Sequence, residues 1–175
     1  MAQKMFNYFS LLFLAMACLP LLAQSTQAQQ PGPVNEFCKT ASHKELCTKM
    51  VNGAKNLHDA SKNAMESTLI AAKKLQSMTK LIGPTLSAMR PITKDSILST
   101  CQENFDNAVD DLETSLQSLE NKDEGTLLTH LSAATASDCS DAFAEMGAKL
   151  PPPLSSHVDY VFKLVSNCLA VVEQK

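Results

Sequence analysis

Four histidines, a run of carboxylates and six cysteines are the side chains with chemistry to offer, and their spacing decides which chemistry is open to them. His43, His58, His130 and His157 are scattered, none stands in a His-x3-His pair, and no Cys-x2-Cys accompanies them. No metal site is expected, because a chelating pair must sit on one face of one element. Asp106, Asp110, Asp111 and Glu113 could supply an acid and a base if two of them shared a pocket. Crowded on one helical stretch, they read instead as a solvated outer face. Without pocket-forming loops between the helical segments, the chain is expected not to be an enzyme and to need no cofactor. The cysteines are different: Cys18 lies in an apolar leader, Cys38 and Cys47 form a close pair, and Cys101, Cys139 and Cys168 are far apart.

The leader decides what those thiols do. Residues 1–28 carry one cation, Lys4, then the apolar run from Phe9 to Ala17, then Pro20 and the small residues Ala23, Ser25 and Ala28. Such an order predicts a secretory signal peptide cleaved after Ala28, with Ser25 and Ala23 as competing exits. The run is shorter than the roughly 20 apolar residues a span needs. Cys18 leaves with it, and no retention signal ends the chain, so the expected destination is outside the cell, where disulfides persist. Removing Lys4 takes the formal charge from -3 to -4. A mildly acidic chain without basic runs is a poor partner for nucleic acid. No Asn-x-Ser/Thr acceptor occurs for glycosylation.

The elements that position these residues are helices. Gly and Pro cluster at 31–33, 53, 83–84, 91, 125, 147 and 151–153, and Ala, Leu, Lys, Glu and Gln fill the stretches between. Four segments show the helical period. The first, from residue 53 or 54 to about 82, places Leu57, Ala60, Ala64, Ala71, Leu75, Met78 and Ile82 near one face and stops at Gly83-Pro84. Segment 94–119 carries Leu98, Cys101, Phe105, Ala108, Leu112, Leu116 and Leu119. Segment 123 to about 148 carries Leu128, Leu131, Cys139, Phe143 and Met146, and Pro151 to Pro153 bar its continuation. Segment 155–172 carries Val158, Val161, Phe162, Val165, Cys168, Leu169 and Val172. The fold class is therefore all-α, an up-down four-helix bundle over about 53–175 preceded by a short helical hairpin over about 34–52. The mature chain, residues 29–175, is one domain by length. Most of the methionines read as gap-filling core or signal-peptide residues.

On that scaffold Cys38 and Cys47 flank the polar stretch Thr40 to His43, and two brief helical turns could bring them within bonding reach. Cys101 and Cys139 fall on the seams of neighbouring helices, where a bond would staple the bundle from inside. Spacing alone leaves three pairings open for four cysteines. Cys168, also on a seam, reads as a buried and unreactive thiol.

Four stretches in order then carry a resemblance: Cys38-x8-Cys47 with Thr40 inside, Leu98-x2-Cys101-x-Glu103-x-Phe105-x2-Ala108-Val109-x2-Leu112, Leu131-Ser132-Ala133-Ala134-x4-Cys139-x-Asp141-x-Phe143, and Ser166-Asn167-x-Leu169-Ala170. Together, and behind a signal peptide, they resemble the plant invertase and pectin methylesterase inhibitor family over essentially the whole mature chain. The resemblance implies a four-helix bundle behind a helical hairpin, with Cys38 bonded to Cys47 and Cys101 to Cys139, and with Cys168 free. It implies no catalysis, but a pH-dependent complex, one inhibitor to one enzyme, that covers the active site of a cell-wall enzyme. Invertase inhibitors of the family usually carry Pro-Lys-Phe shortly before the helix of the fourth cysteine, where this chain reads Asp123-Glu124-Gly125-Thr126-Leu127-Leu128. The Leu131 to Ala134 run is more typical of pectin methylesterase inhibitors. Pectin methylesterase is thus the expected partner, with cell-wall or vacuolar invertase the alternative and a non-inhibitory secreted helical binding protein a further one. A lipid carrier would need a wide apolar cavity, which tight Leu/Ala seams oppose. Thr135 is the single candidate contact residue, its competing reading being a Thr that packs within a helix. Interface carboxylates facing partner carboxylates should tighten the complex as pH falls.

Overall fold

Side-chain caps and prolines decide where the long helices begin. The computed structural model describes residues 33–174, so the predicted signal peptide, Cys18 included, lies outside the described residues. A 3-10 turn Glu36–Cys38 and helix α1, Lys44–Met50, form the N-terminal piece. Helix α2, Leu57–Ser77, starts at Asn56, whose side chain accepts from the Asp59 amide. Thr79–Leu81 makes a second 3-10 turn, and α3, Ile82–Thr85, is a single turn of helix. Helix α4, Pro91–Glu120, is the longest. Asp123 caps α5, Glu124–Ala133, by accepting from the Thr126 amide. Then come α6, Asp138–Glu145, and α7, Pro152–Val172. The described residues are all-helical, as the periodicity predicts, and none of their helices is long and apolar enough to cross a membrane.

Side-chain pairs fix how the long helices run. Lys62 with Glu120, Lys73 with Glu113 and Gln76 with Asp106 set α2 antiparallel to α4. His130 with Asp111 and Cys139 with Cys101 set α5 and α6 antiparallel to α4. Thr68 meets Cys168 across α2 and α7, while Leu57 at the start of α2 shares a cavity with Val172 at the end of α7. Between these helices lies a core in which Phe105, Phe143, Met65, Leu75, Leu112, Leu131 and Leu164 are fully buried. Each such side chain contributes roughly 1.5 to 3 kcal/mol by leaving water.

Several boundaries differ from the sequence reading. Segment 123–148 is two helices, broken at 134–137. Its apolar phase explains the break. At about 100° per residue, the inward Leu127 and Leu131 are followed by Cys139 and Phe143 turned by about 120°, so a straight helix cannot bury both pairs against α4. Leu127 rather than Leu128 is fully buried, and Met146 is half exposed. Gly83-Pro84 does not end the first long helix: α2 stops at Ser77, and Pro84 sits in the first turn of α3, where its missing N–H costs nothing. Pro91 and Pro152 likewise open α4 and α7, which therefore start earlier than residues 94 and 155. Phe162 points outward, 52% exposed, while Leu154, Leu164 and Val171 take inward places.

Candidate functional site

The break in the third segment is where local sequence and tertiary demand meet. Leu131 and Ala134 of the Leu131-Ser132-Ala133-Ala134 run are buried, and Ala136 is buried beyond them. Ser132 and Ala133 are exposed, and the Ser132 hydroxyl donates back to the Leu128 carbonyl. Thr135, half buried, lies in the break itself, so the reading of it as a Thr packed within a helix does not hold. Its backbone carbonyl accepts from Asn104 Nδ2 at 3.5 Å.

Asn104 holds this segment, and sequence reasoning missed it. Ser137, at the start of α6, makes no side-chain cap. The Oδ1 of Asn104 supplies that acceptor from the neighbouring helix, 3.2 Å from the buried Cys139 amide. One carboxamide thus serves both sides of the break, donating to Thr135 and accepting from Cys139. The signal was present: Asn104 is a polar residue three positions after Cys101 on an otherwise apolar seam, and a buried amide needs partners. Cys101, one turn before Asn104, is disulfide-bonded to Cys139 itself, with Cα atoms 4.3 Å apart.

The second anchor fixes the N-terminal piece. Cys38 and Cys47 are disulfide-bonded. Asn167 of α7, fully buried, accepts from the His43 amide at 3.2 Å and donates to the His43 carbonyl at 3.1 Å. Thr40 donates to the Ala170 carbonyl, and Gln174 donates to the Phe37 carbonyl.

The remaining candidates separate. Among the described residues no group of three His, Cys, Asp or Glu side chains could hold a metal ion. His130 Nδ1 lies 2.7 Å from Asp111, His58 lies 3.8 Å from Glu120, and His157 contacts the Pro153 carbonyl. The carboxylates expected to be a solvated face are partly engaged between helices: Asp106 accepts from Gln76, Asp111 meets His130, and Glu113 pairs with Lys73. Asp110 is exposed. Lys62 hydrogen-bonds Glu120, which raises the lysine and lowers the carboxyl. Asp123 is lowered by the Thr126 side chain and amide that it caps. The Cys168 thiol is fully buried, and burial pushes it up to about 12 while the Thr68 hydroxyl beside it pulls weakly the other way. A thiol so seldom ionised is no nucleophile at neutral pH.

Among the described residues, two of the cavities that open on the surface are each about 300 Å³ in size. One, of about 310 Å³, lies between α4 and α6, with Ser96, Thr100, Asp138, Asp141 and Glu145 on its walls. The other, of about 300 Å³, lies where α2, α4, α5 and α7 meet. The first is walled mainly by hydroxyl and acidic side chains, and the second has His58, Ser61, Ser118, Lys122, Asp123 and Glu124 among its lining residues.

Comparison with known proteins agrees with that geometry. Residues 33–171 match the sequence family described as plant invertase/pectin methylesterase inhibitor. Among solved structures, mutant form A of a pectin methylesterase inhibitor from Arabidopsis superposes with a TM-score of 0.64 at 18% identity, over 79% of this chain and 94% of that one. A pectin methylesterase inhibitor from Arabidopsis thaliana gives 0.57 at 18% identity, over 78% and 91%. At that identity the likeness establishes the fold. Among curated proteins, none matches.

Proposed function

Because the chain belongs to the plant invertase/pectin methylesterase inhibitor family, we propose that it is a secreted inhibitor that binds one cell-wall pectin methylesterase molecule and covers its active-site cleft. The observation that carries this reading is the break at 134–137. Beside it Ser132 is exposed and Thr135 half buried, on a segment that Asn104 and the Cys101–Cys139 bond tie to α4, and a pre-ordered contact loses little entropy on binding. Thr135 is the proposed contact residue. The rest of the reading is of one piece: residues 1–28 as a signal peptide, the apoplast as destination, Cys38–Cys47 and Cys101–Cys139 as permanent bonds, Cys168 as a free thiol, and no catalysis by the chain itself. Support for the esterase over an invertase comes from two features: the Asp123 to Leu128 region lacks Pro-Lys-Phe, and the folds superposed above are described as pectin methylesterase inhibitors.

The test is titration of the oxidised chain from Gln29 onward against a plant pectin methylesterase and a cell-wall invertase at acidic pH. Stoichiometric loss of esterase activity with invertase untouched is expected. Inhibition of invertase alone transfers the reading to the sister class, and inhibition of neither defeats it.

A further inference from the structure

The turn that joins α1 to α2 holds the chain's single Asn-Gly pair, Asn52-Gly53. Val51 to Ala54 form a β-turn, closed by the Ala54 amide on the Val51 carbonyl at 3.0 Å, and Gly53 stands at its third position with φ 79, where a residue with a Cβ is strained. Asn52 is exposed, and of its polar groups the backbone carbonyl is engaged, by Asn63 Nδ2 at 3.0 Å. Among the described residues neither its carboxamide nor the Gly53 N–H has a hydrogen-bond partner. Apart from its chain neighbours, no atom lies within 4 Å of the place a Cβ on Gly53 would take. Other asparagines are held. Asn56 binds Asp59 through both ends of its carboxamide, Asn104 and Asn167 are buried and bonded, and the amide that follows Asn121 donates to the Leu119 carbonyl.

We infer that Asn52-Gly53 is a site of spontaneous covalent modification, at which Asn52 is converted to aspartyl and isoaspartyl forms with water as co-reactant. The Gly53 nitrogen gives its proton to solvent and attacks Cγ of Asn52. A Cγ–N bond forms, the Cγ–Nδ2 bond breaks, and Nδ2 takes a proton and leaves as ammonia. The product is a five-membered succinimide ring, which water opens at either carbonyl. Opening at Cγ leaves aspartate in a normal main chain; opening at the main-chain carbon leaves the carboxylate there and routes the chain through Cγ. Nothing is oxidised or reduced. Glycine leaves the attacking nitrogen uncrowded, and an unbonded carboxamide is free to swing onto it. The turn rests on the Ala54 and Asn63 bonds, the second of them exposed, so local opening costs little. A nitrogen that must first lose its proton makes the reaction slow in acid and faster as pH rises. The product puts a new negative charge, and in the isoaspartyl form an extra methylene in the main chain, at the joint between the disulfide-bonded N-terminal piece and α2. This site is separate from the 134–137 break and does not depend on the inhibitor reading.

The experiment keeps the oxidised mature protein at pH 5 and at pH 8 and maps tryptic peptides by mass over time. Cleavage after Lys49 and Lys55 isolates residues 50–55, in which Asn52 is the one asparagine and no cysteine is present. That peptide should gain about 1 Da, the exchange of NH2 for OH, faster at pH 8 than at pH 5, and fragmentation should show both isoaspartyl and aspartyl products. Peptides 56–62 and 63–73, each with one asparagine, should stay unchanged over the same period. Asn52→Gln, which strains no backbone and would need a larger ring, should lose the gain. Gly53→Ala should slow it at least about tenfold, read in a synthetic 50–55 peptide as well as in the protein because a Cβ at this φ strains the turn. The folded chain should react within about tenfold of the free peptide, since the turn opens easily. A slower folded chain, no mass gain at 50–55, equal gain in the neighbouring peptides, or aspartate without isoaspartate overturns the proposal.

Discussion

Replacing Asn104 by Ala tests whether one side chain holds the helix break. The variant removes the Oδ1 that receives the buried Cys139 amide at 3.2 Å and the Nδ2 that reaches the Thr135 carbonyl at 3.5 Å. The second contact is at the limit of a hydrogen bond and contributes little. The first is the missing N-cap of α6, supplied from another helix, and loss of a side-chain cap costs roughly 0.5 to 2 kcal/mol. Leaving a buried N–H unsatisfied puts the cost at about 1 to 3 kcal/mol. A value near 2 kcal/mol follows, equivalent to a Tm lower by about 6 to 8 °C for a domain of this size. Guanidinium unfolding of the oxidised protein measures it, and hydrogen exchange localises it: the Cys139 amide should lose protection while amides in the middle of α2 keep theirs. A variant within 0.5 kcal/mol of the parent, or one with the Cys139 amide still protected, would refute the bridging role.

The other predictions rest on separate contacts. Lys122 adopts φ 57 in a helix-ending turn in which the Asp123 amide donates to the Ser118 carbonyl, so Lys122→Gly should stabilise the fold by about 1 kcal/mol by relieving left-handed strain, read as a higher guanidinium midpoint. Opening the Cys101–Cys139 bond as a double Ser variant should cost roughly 4 kcal/mol, since it closes a loop of separation 38, and should exceed the cost of opening Cys38–Cys47, of separation 9, by about 1 kcal/mol. The Cys168 thiol is raised from 9.0 to about 12, so the unfolded chain loses this proton first as pH rises. Its contribution is whole below pH 9 and is lost toward pH 12 at no more than about 1.4 kcal/mol per pH unit, so Cys168→Ser should have a flatter stability profile above pH 9 than the parent. For the proposed complex, contact between carboxylates raises their pKa on binding, which places its stability at low pH; affinity for the esterase should fall from about pH 5 to about pH 7.5, and equal inhibition at both would remove that mechanism.

Much of the fold was legible because it rests on period and punctuation. Burial of Ala60, Ala64, Leu75, Cys101, Phe105, Leu112, Val161 and Cys168 follows from steps of three and four, a property of the helix itself. The errors came where a local signal has two meanings. A proline both stops a helix and opens one, and at Pro91 and Pro152 the opening sense applies. Phe162 is apolar and next to the stripe, yet sits on its outer edge, and one apolar residue in the open is no anomaly.

Thr135 shows why the site was harder to read than the scaffold. Choosing Leu128 as the inward residue puts Leu128 and Cys139 only about 20° apart in helical phase and makes 123–148 look continuous; choosing Leu127 exposes the mismatch of about 120°. Leucines at both positions make the two choices indistinguishable in sequence. The decision belongs to tertiary structure, since Cys139 must reach Cys101 and Leu127 must pack at the other end of the same segment. A break resolves the conflict but strands backbone groups, and a partner must come from a different helix. Asn104 is the residue able to donate and accept at once on that face of α4. Breaking the helix and holding the break are therefore one requirement, and the rigidity proposed for the contact at Thr135 is its by-product: a surface ordered by the needs of the core is already ordered when an enzyme arrives.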